Sequence, residues 1–382
     1  MRPRDSGALR LSVPPARSSK RRVNRSSKGG QPIRAGGAKA REVTSLDYSI
    51  DTERGITRES TDQGFAYRSV RGRVIRDRRT LARIRRLAIP PAWQDVWICA
   101  NPNGHLQATG KDARGRKQYR YHPVWVAERD ANKFDALHDF ALALPRIRRR
   151  VAQDLATAEL TKERVLAAVV QLMDRTFIRV GGERYRRDNG SFGATTLRNR
   201  HVQVAGEEIV FDFRGKSGKR HRLAIEDRRV ASVIRRCLEY PGQLFVYRNG
   251  SEVKSISATD VNEYLANAGS QPVTSKDFRT WGATVEAAQY LSALRKQHGE
   301  STQHVDGVSR RHIRDAIRSV SRLLGNTPAV CRRSYIHPAV FRCYEAGVVG
   351  KPKRLAGLRA GECVALGLLS QSPGASDRAT TS

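Results

Sequence analysis

TTLRNRHVQVAGEEIVFDFRGKSGKRHRLAI, residues 195–225, is the stretch on which the fold turns. Apolar residues alternate through it with period two. Strands are therefore expected near Thr195–Leu197, His201–Val204, Ile209–Phe213 and His221–Ile225. RGKSGK (214–219) is a glycine-containing hairpin loop between the last two. The flanking sequence carries helical spacing instead. On the N-terminal side Phe134, Leu137 and Phe140 keep that spacing, and Pro145 is placed to open the next helix. Thr161 caps a helix running to about Phe177, with Val165, Leu166, Val169 and Leu172 on one face. On the C-terminal side helices are expected near 259–267, 275–297 and 308–324. Gly325 ends the last of these and Pro328 blocks its continuation. Residues 126–346 thus read as a mainly helical domain that holds one small antiparallel sheet.

Upstream, residues 43–125 read as a smaller, β-rich unit. Phe65, Tyr67 and Val70 suggest a strand before a turn at Arg71–Gly72, and LARIRRL (81–87) a short helix stopped by Pro90 and Pro91. Val96–Cys99 and His105–Thr109 suggest strands around a turn at Asn101–Gly104. Residues 1–42 lack apolar periodicity and read as a disordered basic arm, although the Arg- and Ser-rich composition also fits an organellar transit peptide. Residues 347–382 are Gly-, Ser- and Ala-rich and read as a flexible tail. The fold class is α+β, a small β-rich N-terminal domain followed by a mainly helical domain.

Charge narrows the partner. Lys and Arg number 71 against 37 Asp and Glu, for a net charge of +34. Residues 1–41 carry +11 of this, and the remaining +23 is spread over the rest of the chain. Such an excess requires an anionic partner, and nucleic acid supplies one through phosphate contacts and counterion release. No run of eighteen apolar residues is present, so no transmembrane helix is expected, and Arg, Pro and Ser interrupt the start of the sequence, so no signal peptide is expected. The cysteines Cys99, Cys237, Cys331, Cys343 and Cys363 are odd in number and include no CxxC. That argues for a reducing compartment without disulfides or a zinc site.

Breaking a DNA strand without a metal needs a nucleophile for phosphorus, cations for the pentavalent transition state and an acid for the departing 5′ oxygen. Arginine is the best phosphate clamp, because its planar fork binds two oxygens at once. Lysine suits the acid role, because neighbouring cations lower its pKa. Four strings supply these types. FIRVGGERY (177–185) places Arg179 at a helix end. FDFRGKSGKRHR (211–222) places Lys216 at a hairpin tip. KDFRTWGA (276–283) places Arg279 in the first turns of a helix, and GNTPAVCRRSYIHP (325–338) carries Tyr335 behind a helix stop. Each alone is weak, since a lone Arg or Tyr in so basic a chain is more often a surface or packing residue. Their order and context together carry the weight.

Over about 45–345 these strings resemble the type IB DNA topoisomerases of the bacterial and poxvirus-like group. The resemblance implies a tyrosine recombinase/topoisomerase IB-like catalytic fold and an enzyme that relaxes duplex DNA through a 3′-phosphotyrosine. In that scheme Tyr335 is the nucleophile, Lys216 the general acid, and Arg279 binds a nonbridging oxygen. Arg179 stabilises the scissile phosphate and assists proton relay. Poxvirus and eukaryotic members have a histidine nine residues before the tyrosine. Here, as in bacterial members, that place is Asn326, which can hydrogen-bond a phosphate oxygen but carries no proton or charge. GKDARGRKQYRYHP (110–123) resembles the family's DNA-contacting segment, with Arg116, Gln118, Tyr119 and Tyr121 in the contact places. Tyr185 resembles a further DNA-contact tyrosine, and Gly182 stands where a family lysine would. IPPAW (89–93) is read as structural.

Other residues are given plain roles. His105, His122, His201 and His221 lack metal-ligand spacing, and Asp112, Asp188 and Asp277 are read as orienting arginines. The phosphotyrosine conserves the phosphodiester energy, so neither ATP, a metal nor any other cofactor is expected. The partner is double-stranded DNA, the acting form a monomer and the location the cytoplasmic nucleoid. Two rivals remain. A tyrosine recombinase usually has histidine where Lys276 stands, three residues before the second arginine. A noncatalytic basic DNA-binding protein explains the charge but not the ordered strings.

Overall fold

The first strands bury a small set of apolar side chains against a short helix. In the computed structural model the described residues are 46–298, 306–348 and 351–371. The chain from Asp47 onward forms one compact unit. β1 (Ile56–Thr61), β2 (Gly64–Arg68), α1 (Arg78–Arg86), β3 (Gln94–Ile98), β4 (Leu106–Lys111) and β5 (Lys117–Tyr121) come first. The five strands pair antiparallel in the order β2-β1-β3-β4-β5. Ile56, Val96, Ile98 and Ala108 bury against Ile84 of α1, with Trp93 and Ile89 of IPPAW packed on this small core. Arg58 holds IPPAW in place by donating to the carbonyls of Pro90, Pro91 and Trp93. Tyr119 and Tyr121, two residues apart on β5, stand on the opposite face from Ala108 and stack at 6.1 Å.

The rest of the chain has its own, larger core. Its elements are α2 (Pro123–Leu155), α3 (Lys162–Thr176), α4 (Glu183–Asn189), β6 (Val202–Ala205), β7 (Glu208–Arg214), β8 (Arg220–Glu226), α5 (Arg228–Leu238), β9 (Val246–Asn249) and β10 (Glu252–Ser255). They continue through α6 (Ala258–Gly269), α7 (Ser275–His298), α8 (Asp306–Leu324), α9 (Pro328–Ser334), α10 (Pro338–Glu345) and α11 (Ala360–Ser370). β6-β7-β8 is the expected antiparallel sheet, and β9-β10 is an additional hairpin. Thr161 caps α3 as expected, accepting from Arg164 N at 3.2 Å. No helix among the described residues is long and apolar enough to cross a membrane.

Three expectations are corrected. Pro145 does not open a helix, because α2 runs through it. A mid-helix proline costs about 3 kcal/mol. The helix tolerates it because Phe140, Leu144 and Ile147 are buried on either side, a larger gain in sum. Thr195–Leu197 is not a strand. Thr196 Oγ1 accepts from Gly193 N at 2.9 Å and lies 3.1 Å from Gly193 O, which closes a 3-10 turn over Ala194–Thr196. The region beyond 347 does not simply fray, since α11 packs against α2, α7 and α10. The basic arm at 1–42 and the end of the chain from 372 lie outside the described residues.

Candidate active site

The loop after α3 starts the site. Phe177 takes the left-handed conformation, φ 54°, and ends that helix. Its ring lies so close to α7 that a Cβ on Gly282 would fall 2.2 Å from it, so only glycine fits there. This approach brings Arg279, one turn earlier on α7, under the loop. Arg279 is 5% exposed. It donates to the carbonyls of Phe177 and, at 3.0 Å, Leu324. Both acceptors are neutral. Burial, then the neighbouring charge of Arg179, pull Arg279 down to about 10, which still leaves it charged at neutral pH.

Arg179, two residues past Phe177, donates to Asn326 Oδ1. That bond fixes the amide's orientation, because a flipped amide would set donor against donor. Asn326 follows Gly325, which sits at φ 64° and ends α8, and Thr327 then caps α9. Tyr335 closes α9 at its C-terminal end. Its ring lies 5.4 Å from the Arg279 guanidinium. Burial alone would push the phenol up. The charge and hydrogen bond of Arg279, with Arg179 and Asn326, outweigh it and leave Tyr335 below the ordinary tyrosine range. Among the described residues, Arg279 Nε is a buried donor without a hydrogen-bond partner.

Lys216 stands exposed at the tip of the β7–β8 hairpin, where Ser217 and Gly218 turn the chain with positive φ. Arg116, Arg179, Tyr185, Lys216, Arg279 and Tyr335 all line one cleft of about 390 Å³. Asn326 lies behind it, on Arg179. Gln118, Tyr119 and Tyr121 do not line the cleft. Gln118 donates to Asp112 Oδ2 at 2.9 Å, and the two tyrosines form their own stack on β5. Asp112 also takes Arg116 Nε at 2.8 Å and the backbone N–H groups of Arg114 and Arg116. Those hydrogen bonds, led by the Arg116 side chain, hold its carboxyl down to about 2. Asp112 therefore braces the β4–β5 turn and aims Arg116. Asp277 has another job: it accepts from Thr274 N and Oγ1 at the start of α7. Asp188 lies 3.5 Å from Arg184 on the exposed face of α4.

The expected plain roles of three histidines have visible causes. Nδ1 of His105, His122 and His201 accepts a backbone N–H from Ser49, Val124 and Arg198 in turn. His337 caps α10 and packs on Phe134. The sequence reading missed Arg114, Arg214 and Lys276 as cleft residues. Arg114 lies inside GKDARGRKQYRYHP, and Lys276 stands where a tyrosine recombinase usually has histidine. Basic residues are too common here for spacing to separate them.

Against known proteins, residues 115–358 match the family model for the eukaryotic DNA topoisomerase I catalytic core. Residues 64–112 match that for the bacterial DNA topoisomerase IB N-terminal domain. The chain is 32% identical over 298 residues to the DNA topoisomerase 1B of Acanthamoeba polyphaga mimivirus, covering 76% of this chain and 88% of that relative. It is 23% identical over 234 residues to the DNA topoisomerase 1B of Vaccinia virus (strain Copenhagen), covering 61% of this chain and 70% of the relative.

Proposed function

We propose how this chain, which belongs to the type IB DNA topoisomerase family and is an isomerase, carries out its reaction. The substrate is double-stranded DNA lying in the basic cleft. The Tyr335 oxygen attacks a backbone phosphorus, the bond to the 5′ oxygen breaks, and a 3′-phosphotyrosyl link forms. Lys216 gives its proton to the departing 5′ oxygen. Arg179 and Arg279 hold the nonbridging oxygens as negative charge builds. Asn326 adds a neutral hydrogen bond and orients Arg179. The freed strand rotates under torsion. The 5′ hydroxyl then attacks the same phosphorus, returns its proton to Lys216 and releases Tyr335. The phosphotyrosine keeps the energy of the broken bond, so ATP has no role, and the cationic side chains take the charge a divalent metal would otherwise meet. Arg116 and Tyr185 contact the DNA at the cleft. Gln118, Tyr119 and Tyr121 do so on the adjoining sheet face. The protein acts as a monomer within the nucleoid.

The observation that carries this scheme is Arg279, a buried guanidinium held by the neutral carbonyls of Phe177 and Leu324, set 5.4 Å from a tyrosine ring in a cleft that also holds Arg179 and Lys216. The test is relaxation of supercoiled plasmid in EDTA without ATP, with protein–DNA adducts trapped by denaturant. Wild type is expected to relax the plasmid and yield an adduct on the 3′ phosphate. Tyr335→Phe is expected to do neither while still binding DNA. Relaxation by Tyr335→Phe would overturn the assignment of the nucleophile.

A further inference from the structure

His221 is not among the residues that the scheme above uses, yet it sits between two of them. It lies on β8 opposite Phe213 in the β7–β8 register, and its ring stacks on Phe213 at 5.4 Å and 17°. The ring also meets two stretches of bare backbone. A Cβ on Gly215 would fall 2.5 Å from ring atom Cδ2, and one on Gly325 would fall 2.9 Å from Cε1. Gly215 immediately precedes Lys216, and Gly325 immediately precedes Asn326. One flat ring is thus wedged between the turn that carries Lys216 and the turn that carries Asn326. Lys219 Nζ ties the same two turns by donating to Gly325 O at 3.1 Å. A small void of about 20 Å³ beside the ring is lined by Arg179, Lys216 and Arg279 as well. Burial, then the charges of Arg179 and Arg279, hold the imidazole below its ordinary range. At neutral pH the ring is therefore an uncharged spacer that adds no repulsion to the cluster.

We infer that His221 is a positioning residue: its ring sets the separation between the Lys216 hairpin and the Asn326 turn, and so holds Lys216 where the 5′ oxygen departs. This rests on Lys216 being the general acid. The hairpin tip is exposed and its lysine long, so the backbone beneath it needs a rigid seat. A misplacement of about 1 Å costs on the order of a hundredfold in rate.

The experiment is single-turnover strand cleavage by the full-length protein. The duplex is built around a site mapped with wild type on plasmid DNA and is made in two forms, with oxygen or with sulfur as the 5′ bridging atom. A thiolate leaves without being protonated, so a defect confined to proton delivery disappears on the sulfur duplex. His221→Ala is expected to cleave the oxygen duplex on the order of tenfold to a hundredfold more slowly. Its binding of the duplex should be unchanged, and its rate on the sulfur duplex close to that of wild type. Should His221→Ala fail to fold, His221→Leu, which fills the space without the flat faces, is expected to show the same split. A wild-type rate on the oxygen duplex, or an equal defect on both, overturns the inference. Lys216→Ala is the control. If it is not rescued by sulfur, the general-acid assignment fails, whereas rescue of Lys216→Ala but not of His221→Ala removes only the role of His221.

Discussion

Arg148 on α2 and Arg279 on α7 are both arginines with little exposure, and they are held in opposite ways. Arg148 donates to both oxygens of Asp174, at 3.0 and 2.9 Å, and to both of Glu362, at 2.8 and 2.7 Å, with Arg359 closing the cluster from the rim. Burial works against the charge of Arg148, but the two carboxylates overcome it and hold the guanidinium above its ordinary range. The cluster is close to neutral, and it clamps α11 onto α2 and α3. Arg279 donates to the carbonyl oxygens of Phe177 and Leu324, and Arg179 to an amide oxygen. Those acceptors fix position without cancelling charge, so the cleft keeps an unspent positive field. Burying a cation this way costs stability, and such a cost is expected where a site must meet an anion. The difference separates these two arginines: Arg148 meets carboxylates that cancel its charge, whereas Arg279 is held by neutral groups that leave its charge in the cleft.

The same substitution in both places tests this difference. Arg279→Met has the largest expected effect, slowing single-turnover cleavage on the order of 10²–10³-fold. Thermal unfolding should change by no more than about 2 kcal/mol, because two hydrogen bonds of about 1 kcal/mol are lost while a buried cation is relieved. The Tyr335 phenol also loses the charge that holds it down, so the pH–rate profile for cleavage should move to higher pH. A large loss of stability with little change in rate would break the comparison. Arg148→Met should do the reverse, because it leaves two buried carboxylates sharing Arg359. Denaturant unfolding should show a loss of about 3–5 kcal/mol, with cleavage by the folded protein near the wild-type rate.

The smallest effect is one of pH. Glu362 is held below the ordinary glutamate range. Burial pushes it up, and its bonds and charge contacts with Arg148, with help from Arg359, more than reverse this. Its stabilising contribution is therefore complete above the ordinary glutamate range and is lost as pH falls through the lower folded value. Glu362→Gln should be less stable than wild type at neutral pH, and the gap should close on acidification. A gap that stays constant down to acid pH would show that the bonding geometry, not the charge, matters in the cluster.

Four cleft residues were legible in the sequence because the short strings that carry them resemble a known family and lie at element ends. Arg179, Lys216, Arg279 and Tyr335 each sit beside an element boundary that spacing reveals: a helix end, a hairpin tip, a helix start and a helix stop. The sheet around residue 216 was legible because alternation is a local signal as well. Pro145 and Thr195–Leu197 misled for the converse reason. In the first, core burial overrides a local rule, and in the second, hydrogen bonds from one threonine override apolar alternation. α11 was missed because its small residues and glycines look loose until Arg148, more than two hundred positions away, supplies the partner for Glu362.

Composition, periodicity and the family resemblance of four short strings were enough to set the fold class and the topoisomerase family, since residue types, spacing and motif order are all written along the chain. Only the tertiary structure decided which arginines keep their charge, which aspartate aims Arg116, and that a histidine ring separates the Lys216 and Asn326 turns. Those properties depend on partners brought together from distant positions, and no local pattern records a distance in space.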